Sequence, residues 1–476
     1  MATIPKPVEK TLEKLRKEED GYLEIKIIKG KYYLYKSTSE YDKDKKKPRK
    51  ISTYMGSIRS DGTYVAKKSR PSLSTSNREI FEYANCRLAY YFLKDVEKIL
   101  KPLTPHYKEI IASAIIKSVD PKPIRLYQSC WEKFSLSQDM DVRLSPKSVS
   151  AMMKSIGKEI SLWYKLFSQL TTDSDFLLYD LSAVSTYSQN CKLAEIGYNA
   201  HHEYIDQIGV VMAFSSQNKL PIGIEVYFGS IKDITTISDF LDRYPNRNIG
   251  FIFDRGFSSY KLLKKFKEEN VDYIVPLKKN SKYMDRRWMR WKDPFSYRNR
   301  PIRWSKKKID LGYLYIYEDP KLKGEEESAL LRRVIRGKFS QNEYEEKKNV
   351  AGIIGIVSDL NVDGFEIFNM YKGREDVELA FNVMKNRLDS DKTYMQTAES
   401  TRGYFFITFL AMRVYFSILK RLRKKELTDK ISVQEVIDEL SKVQIIKDKN
   451  GNKSIATIPK RAQRMISLFP EAMSMG

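Results

Sequence analysis

Between residues 176 and 277 the sequence alternates short apolar runs with turn residues and helix-period segments in an order that few architectures accommodate. "FLLYDLS" (176–182) is one apolar run, "IDQIGVVMAFS" and "LPIGIEVYFG" flank the turn "SQNK", and "TTISDFLDRY" has helical period. "IGFIFD" (249–254), a helical "SSYKLLKKFKEE" and "DYIVPL" (272–277) complete the order β-β-β-α-β-α-β. Three meandering strands followed by alternating helices and strands predict a mixed sheet with helices against it, an α/β layer architecture. Asp180 closes the first run and Asp254 the fourth, so both carboxylates are expected near one edge of that sheet. Two such groups repel unless a cation neutralises them, which points to a divalent metal. Each Asp taken singly is ordinary turn chemistry at a strand end.

The flanks read differently. Residues about 22 to 56 alternate apolar and polar side chains around Gly30 and a charged tip, Asp42 to Lys50, predicting a small antiparallel sheet. From about 78 to 170 the period is helical, with Ser145 and Pro146 placed as N-cap and first-turn residues of a long helix running through Trp163. After 278 a basic, Trp-bearing stretch and strand-like pieces ("GYLYIYED", "VAGIIGIVSD") interrupt the core before a helix at about 374–388 and an apolar helix at 403–421. A Ser432 to Glu435 capping box and an Asn450-Gly451 turn mark a C-terminal appendix.

Lys and Arg number 85 against 61 Asp and Glu, a formal charge of +24, so a polyanion is the natural partner and nucleic acid the first candidate. Residues 278–308 carry thirteen Lys or Arg against two acids, with Trp288, Trp291 and Trp304 interleaved, a surface suited to phosphates and stacked bases, although tryptophan also anchors small cores. The run "KDKKKPRK" (43–50) is a solvated loop or a DNA contact. Cys86, Cys130 and Cys191 form no C-x-x-C pair, which argues against a disulfide framework or a structural zinc site and for a reducing compartment. The N-terminus lacks the apolar stretch of a signal peptide, and Arg413 inside the apolar segment Tyr404 to Leu419 predicts a buried core helix rather than a membrane span.

The sharpest pattern is Tyr371-x2-Arg374-x3-Glu378-x6-Lys385 in "YKGREDVELAFNVMKNRL". On one α-helix these four fall within a stripe about 60° wide, beside an apolar stripe of Val377, Ala380, Phe381, Met384 and Leu388. Taken alone, Arg374 and Glu378 are an ordinary i, i+4 pair. The pattern, together with "FDRGFSS" (253–259) and "YDLSAVS" (179–185), resembles the insertion-sequence DDE transposases marked by a Tyr-x2-Arg-x3-Glu-x6-Lys signature, over roughly 170–425.

That resemblance implies a ribonuclease-H-like core interrupted by a β-rich insertion. The domains expected are 1–75 (β-rich, DNA-binding), 76–172 (helical, DNA-binding), 173–282 (first part of the core), 283–350 (basic β-rich insertion), 351–425 (second part of the core) and 426–476 (helical and hairpin appendix). It implies that Asp180, Asp254 and Glu378 bind two Mg²⁺ or Mn²⁺ ions, and that Tyr371, Arg374 and Lys385 contact transposon-end phosphates. Arg255 is a further candidate for phosphate, and the three tryptophans for a flipped base. The implied partners are transposon-end and target DNA and a second copy of the chain in a synaptic homodimer. The implied location is the prokaryotic cytoplasm, at the nucleoid.

Other DNA-acting classes fit less well. A tyrosine recombinase needs an Arg/His cluster, and only His106, His201 and His202 exist. An ATP-driven motor needs a phosphate loop, and none of Gly30-Lys31, Gly157-Lys158 or Gly337-Lys338 continues into Ser or Thr. A catalytically silent DNA binder and a simple metal-dependent nuclease remain as alternatives.

Overall fold

A computed structural model of the chain describes residues 4–19, 21–28, 30–42, 47–67, 78–198, 204–231, 233–244, 249–284, 290–448 and 450–474. The chain divides into two units, Met1–Arg78 and Glu79–Gly476. In the first, helix α1 (Lys6–Glu18) precedes strands β1 (Tyr22–Ile28), β2 (Lys31–Asp42), β3 (Lys47–Ile58) and β4 (Tyr64–Ala66), an antiparallel sheet in sequential order. Val8 and Leu12, one helical turn apart, bury against Leu23, Leu34 and Ile58, one from each of β1, β2 and β3. The sheet matches expectation and the helix does not: its Val8, Leu12, Leu15 spacing lies within a strongly charged segment. Of the basic run 43–50, residues 43–46 lie outside the described residues.

The second unit opens with β5 (Glu79–Glu82) and helices α2 (Ala84–Leu100), α3 (Tyr107–Val119), α4 (Tyr127–Lys133), α5 (Pro146–Lys158) and α6 (Ile160–Leu170). Ser145 caps α5 by accepting from the Ser148 amide at 3.2 Å, with Pro146 in the first turn. The single long helix expected here is broken at Glu159, whose ψ of 62° leaves helical space. The sheet that follows comprises β6 (Phe176–Thr186), β7 (Glu195–Tyr198), β8 (Tyr204–Ser215), β9 (Pro221–Phe228), then α7 (Asp233–Arg243), β10 (Gly250–Phe253), α8 (Tyr260–Glu268) and β11 (Tyr273–Pro276). It continues through β12 (Lys292–Tyr297), β13 (Arg300–Ile309) and β14 (Gly312–Glu318), helices α9 (Pro320–Ile335) and α10 (Gln341–Lys348), and β15 (Ile353–Ser358).

These strands and a short later one form a single eleven-stranded mixed sheet, ordered β12-β13-β14-β15-β11-β10-β6-β8-β7, with β9 also on β8. β6, β10 and β11 run parallel to one another at its centre, and all four residues of β10 and of β11 are buried, as strands covered on both faces require. The strands of 283–350 thus extend the core sheet instead of standing apart, because β15 pairs with β11 on one side and β14 on the other. Among its described residues that stretch also holds the helices α9 and α10.

Helices α11 (Gly364–Lys372) and α12 (Glu375–Asn382) follow, then the eleventh strand, β16 (Lys392–Thr393), beside β6, and α13 (Ala398–Lys424). Helix α13 is a core helix: Gly157 of α5 and Gly403 of α13 let the two backbones touch, since a Cβ on Gly157 would lie 1.8 Å from the Glu399 carbonyl oxygen and one on Gly403 2.1 Å from that of Met153. Burial pushes the Arg413 guanidinium down to about 10, and it donates to the Pro221 carbonyl. Among the described residues no helix is long and apolar enough to cross a membrane. Helix α14 (Val433–Ser441), capped by Ser432, leads to β17 (Gln444–Lys447) and β18 (Lys453–Ile455), turning at Gly451 with φ +84°. These two strands join β5 in a three-stranded sheet, and α15 (Lys460–Leu468) and α16 (Pro470–Met473) complete the fold.

Candidate active site

Parallel pairing of β6 and β10 sets Phe253 opposite Tyr179. The next residue on each strand is an aspartate, so Asp180 and Asp254 are neighbours across one strand spacing of about 4.8 Å. Asp254 keeps extended backbone (φ −81°, ψ 168°) before the chain turns through Arg255 to Phe257. Above this edge lies α12, which buries Val377, Ala380 and Phe381 and packs on β6 and β8. Its first turn carries Glu375, Asp376 and Glu378, favourable at the positive end of a helix dipole.

Arg374, the residue before α12, joins the strand ends to the helix. One guanidinium nitrogen donates to Glu378, and another faces Asp254 as an ion pair without hydrogen-bond alignment. The Arg374 side chain is only 15% exposed, whereas Asp254 and Glu378 keep about half of theirs in water, at 44% and 55%. Burial disfavours the cation, yet Glu378, Asp254 and Asp180 together hold its pKa above the ordinary guanidinium value. Asp180 behaves in the opposite way. Burial pushes its carboxyl up to about 6, with Asp254 and Glu378 adding to the shift and Arg374 and the Leu181 amide, donating at 3.0 Å, opposing it.

Tyr371 and Lys385 occupy other elements than the one helix expected. The chain breaks at Gly373, which puts Tyr371 at the end of α11, where the Arg374 amide donates to its carbonyl at 3.1 Å. Its hydroxyl still feels the cluster: burial first, then Asp254 and Glu378, raise its pKa against Arg374 and Arg255. Lys385 sits in a π-helical turn, Val383–Arg387, and donates to the Ser182 hydroxyl at 2.8 Å. Ser182 shares a face of β6 with Asp180, two residues on, so the ammonium is set roughly 7 Å along the strand from the carboxylates. Burial lowers the Lys385 pKa, and Asp391 raises it. Arg255 is exposed.

Of the three tryptophans, Trp288 lies outside the described residues. Trp291 is half-buried beneath the Arg303 guanidinium, 4.8 Å from its ring. The expectation that Trp304 offers a face to a base does not hold: it is 6% exposed, stacks on Tyr315 at 6.4 Å, and fills the space over Gly364, where a Cβ would come within 2.2 Å of the indole.

A residue that sequence reading passed over also bears on the site. Lys117, buried in α3, donates at 2.9 Å to both the Leu388 carbonyl and the Tyr404 hydroxyl, and the latter also bonds Ser390 and the Asp389 carbonyl. This network ties down the chain just after the Lys385 turn. The signal was a lone Lys inside the apolar "IIASAIIKSV".

The donor set fits hard divalent cations: three carboxylates, one of them strained by burial without a cation of its own, gathered around a single guanidinium. Among the described residues no three acidic, His or Cys side chains are already closed into a ligating group, since Arg374 stands between Asp254 and Glu378.

No curated protein matches the chain. The cryo-EM structure of a piggyBac transposase synaptic complex with hairpin DNA is similar at 11% identity and a TM-score of 0.36, over 82% of this chain and 71% of that one. The family described as the transposase DDE domain matches residues 171–413, a span that holds Asp180, Asp254 and Glu378 in order. The chain belongs to the transposase DDE domain family.

Proposed function

We propose that this chain is a DNA transposase that cuts at element ends and joins the freed 3'-hydroxyl to target DNA, on a ribonuclease-H-like core, as a homodimer in the synaptic state. The observation that carries the reading is the adjacency of Asp180 and Asp254 on parallel strands, with Glu378 brought over them by α12 and linked through Arg374. Asp180, Asp254 and Glu378 would hold two Mg²⁺ or Mn²⁺ ions, whose chemistry is to stabilise the attacking and leaving oxygens of an in-line displacement.

The remaining roles belong to the chain itself. Buried Asp180, with its pKa near 6, gives up its proton most readily when cationic charge reaches it. Lys385, fixed by Ser182, presents an ammonium beside the carboxylates where a DNA phosphate bordering the cut would lie. Arg374 keeps Asp254 and Glu378 aligned, and its second role is to take up phosphate charge once DNA is present. Tyr371 and exposed Arg255 flank the same edge as further phosphate contacts, and Trp291, with Trp288, is the remaining candidate for a flipped base. No side-chain nucleophile is required: water attacks first and a DNA hydroxyl second. Residues 1–172 would provide binding to the element ends, and the basic segment 283–350 would lie along the DNA.

The test is a cleavage and joining assay with Mn²⁺ on duplexes carrying the ends of the encoding element, intact or pre-nicked. Wild type should join pre-nicked ends to target, and Asp180→Asn, Asp254→Asn and Glu378→Gln should each abolish it while still binding the duplex. Cutting without joining would make the chain a nuclease, and binding without either a silent DNA binder.

A further inference from the structure

Beyond its last described partner in the cluster, β6 runs on to a feature that the proposed chemistry does not use. Tyr187 and Tyr394 lie side by side with ring centroids 5.6 Å apart and planes 18° from parallel. Each nevertheless keeps most of its surface in water, at 59% and 62% exposure. Single exposed tyrosines are unremarkable, but among the described residues no other stacked pair has both rings exposed to this degree.

The backbone beneath the pair is fixed. Strand β16 pairs in parallel with the end of β6, matching Thr393 to Thr186, so Tyr394 and Tyr187 follow as the next residues of a common register. The Tyr187 amide donates to the Thr393 carbonyl at 3.0 Å. Gln396 bonds the Tyr394 carbonyl at 3.2 Å and accepts from Asn190 at 3.1 Å, stitching the two loops together. Two exposed aromatic faces on a hydrogen-bonded base are preorganised for a planar ligand, with little ordering left to do on binding.

Position and charge favour a nucleobase. Tyr187 is the first residue past the end of β6 and seven beyond Asp180, roughly 23 Å of extended chain. Lys385 at Ser182 lies between them, and the Lys392 ammonium is 5.9 Å from the centre of the Tyr187 ring. Asp389 and Asp391 sit in the same turn as Arg387 and Lys392, so this spot is close to neutral, unlike a phosphate groove. We infer that Tyr187 and Tyr394 form a stacking platform for an unpaired DNA base several nucleotides from the scissile phosphate. The inference rests on the proposed action on DNA.

Fluorescence anisotropy in EDTA tests it, with a labelled oligothymidylate and a labelled duplex, each about twenty nucleotides long, titrated with full-length chain at several salt concentrations. The Tyr187→Ala/Tyr394→Ala variant should lose on the order of 10-fold affinity for the single strand, keep its duplex affinity, and leave the salt dependence unchanged, because stacking releases no counterions. Tyr187→Phe/Tyr394→Phe should bind as wild type does. Unchanged single-strand binding by the Ala variant overturns the platform. So does an equal loss on both probes accompanied by a lower melting temperature, or a changed oligomeric state, which would make the pair a structural or subunit contact. Wild-type chain that binds neither probe would instead sink the reading as a DNA-acting protein.

Discussion

Arg374 reaches Asp254 and Glu378 with one guanidinium, so a single fixed positive charge stands between two carboxylates proposed to hold divalent ions. The side chain and the metals therefore compete for the same oxygens. Arg374→Ala should bind Mn²⁺ about 10-fold more tightly than wild type in the absence of DNA, the worth of one partly buried ion pair, while losing activity on DNA. Isothermal titration of the DNA-free protein decides it; equal or weaker Mn²⁺ binding by the variant would show that Arg374 does not contend with the ions.

Asp180 should make the metal-free protein less stable as pH rises. Its pKa is raised from 3.8 to about 6, so the protonated form is favoured in the fold; the stability this confers is complete below about pH 4 and is lost as pH rises through about 6. The shift amounts to about 3 kcal/mol. Asp180→Asn should accordingly raise the unfolding free energy at pH 8 by up to that amount and change little at pH 4. Urea unfolding in EDTA at both pH values measures this, and equal effects at the two would refute it.

A second acid far from the cluster predicts a similar trend at higher pH. Burial, and then a hydrogen bond with Asp272, push the Asp359 carboxyl up to about 7, while its oxygen accepts from the Tyr273 amide at 2.9 Å. Stability drawn from this group is present below about pH 4 and disappears as pH rises through 7. Asp359→Asn retains the acceptor and should raise the melting temperature at pH 8 but not at pH 4, as read by calorimetry.

Lys117 has no contact with the carboxylates, yet Lys117→Met should destabilise the chain by about 2 kcal/mol, the usual worth of hydrogen bonds from a buried charge. Chemical denaturation would show it. A neutral outcome would mean that the Leu388 carbonyl and Tyr404 hydroxyl find other partners without cost.

Trp304 and Trp291 should separate cleanly. Trp304→Ala empties a core position and should cost about 3–5 kcal/mol of stability, impairing every catalytic step alike. Trp291→Ala, at a half-buried site under Arg303, should leave the melting temperature nearly unchanged and affect only steps that depend on DNA contact. Similar melting temperatures for the two variants would contradict these placements.

What could be read in advance follows the range of the interactions involved. The strands and helices expected from 176 to 277, the strand-end placement of Asp180 and Asp254, and the apolar face of the Glu378 helix all rest on local period, and the structure has these elements in place, with the short strand β7 added between the first two expected strands. The Tyr371 to Lys385 stripe assumed one unbroken α-helix, whereas Gly373 interrupts it and a π-turn re-aims Lys385 at Ser182. A missing side chain and an i+5 hydrogen bond leave no mark on hydrophobic period. Nor does local pattern reveal that β15 pairs with both β11 and β14, since sheet neighbours are chosen by pairing across long stretches of sequence. The burial of Trp304 follows from the same long-range pairing.

The excursion through α9 and α10 leaves the sheet after Glu318 and returns at Ile353, and those two residues face each other across the β14–β15 ladder. Directly beyond them, the Asp319 amide donates to the Gly352 carbonyl at 2.9 Å. Some thirty residues thus depart from and re-enter the sheet through one closed doorway, a junction that a tight hairpin would bridge equally well. Descendants of this sequence are free to lengthen, shorten or exchange that helical segment without shifting a strand of the eleven-stranded sheet, so divergence in size should concentrate there.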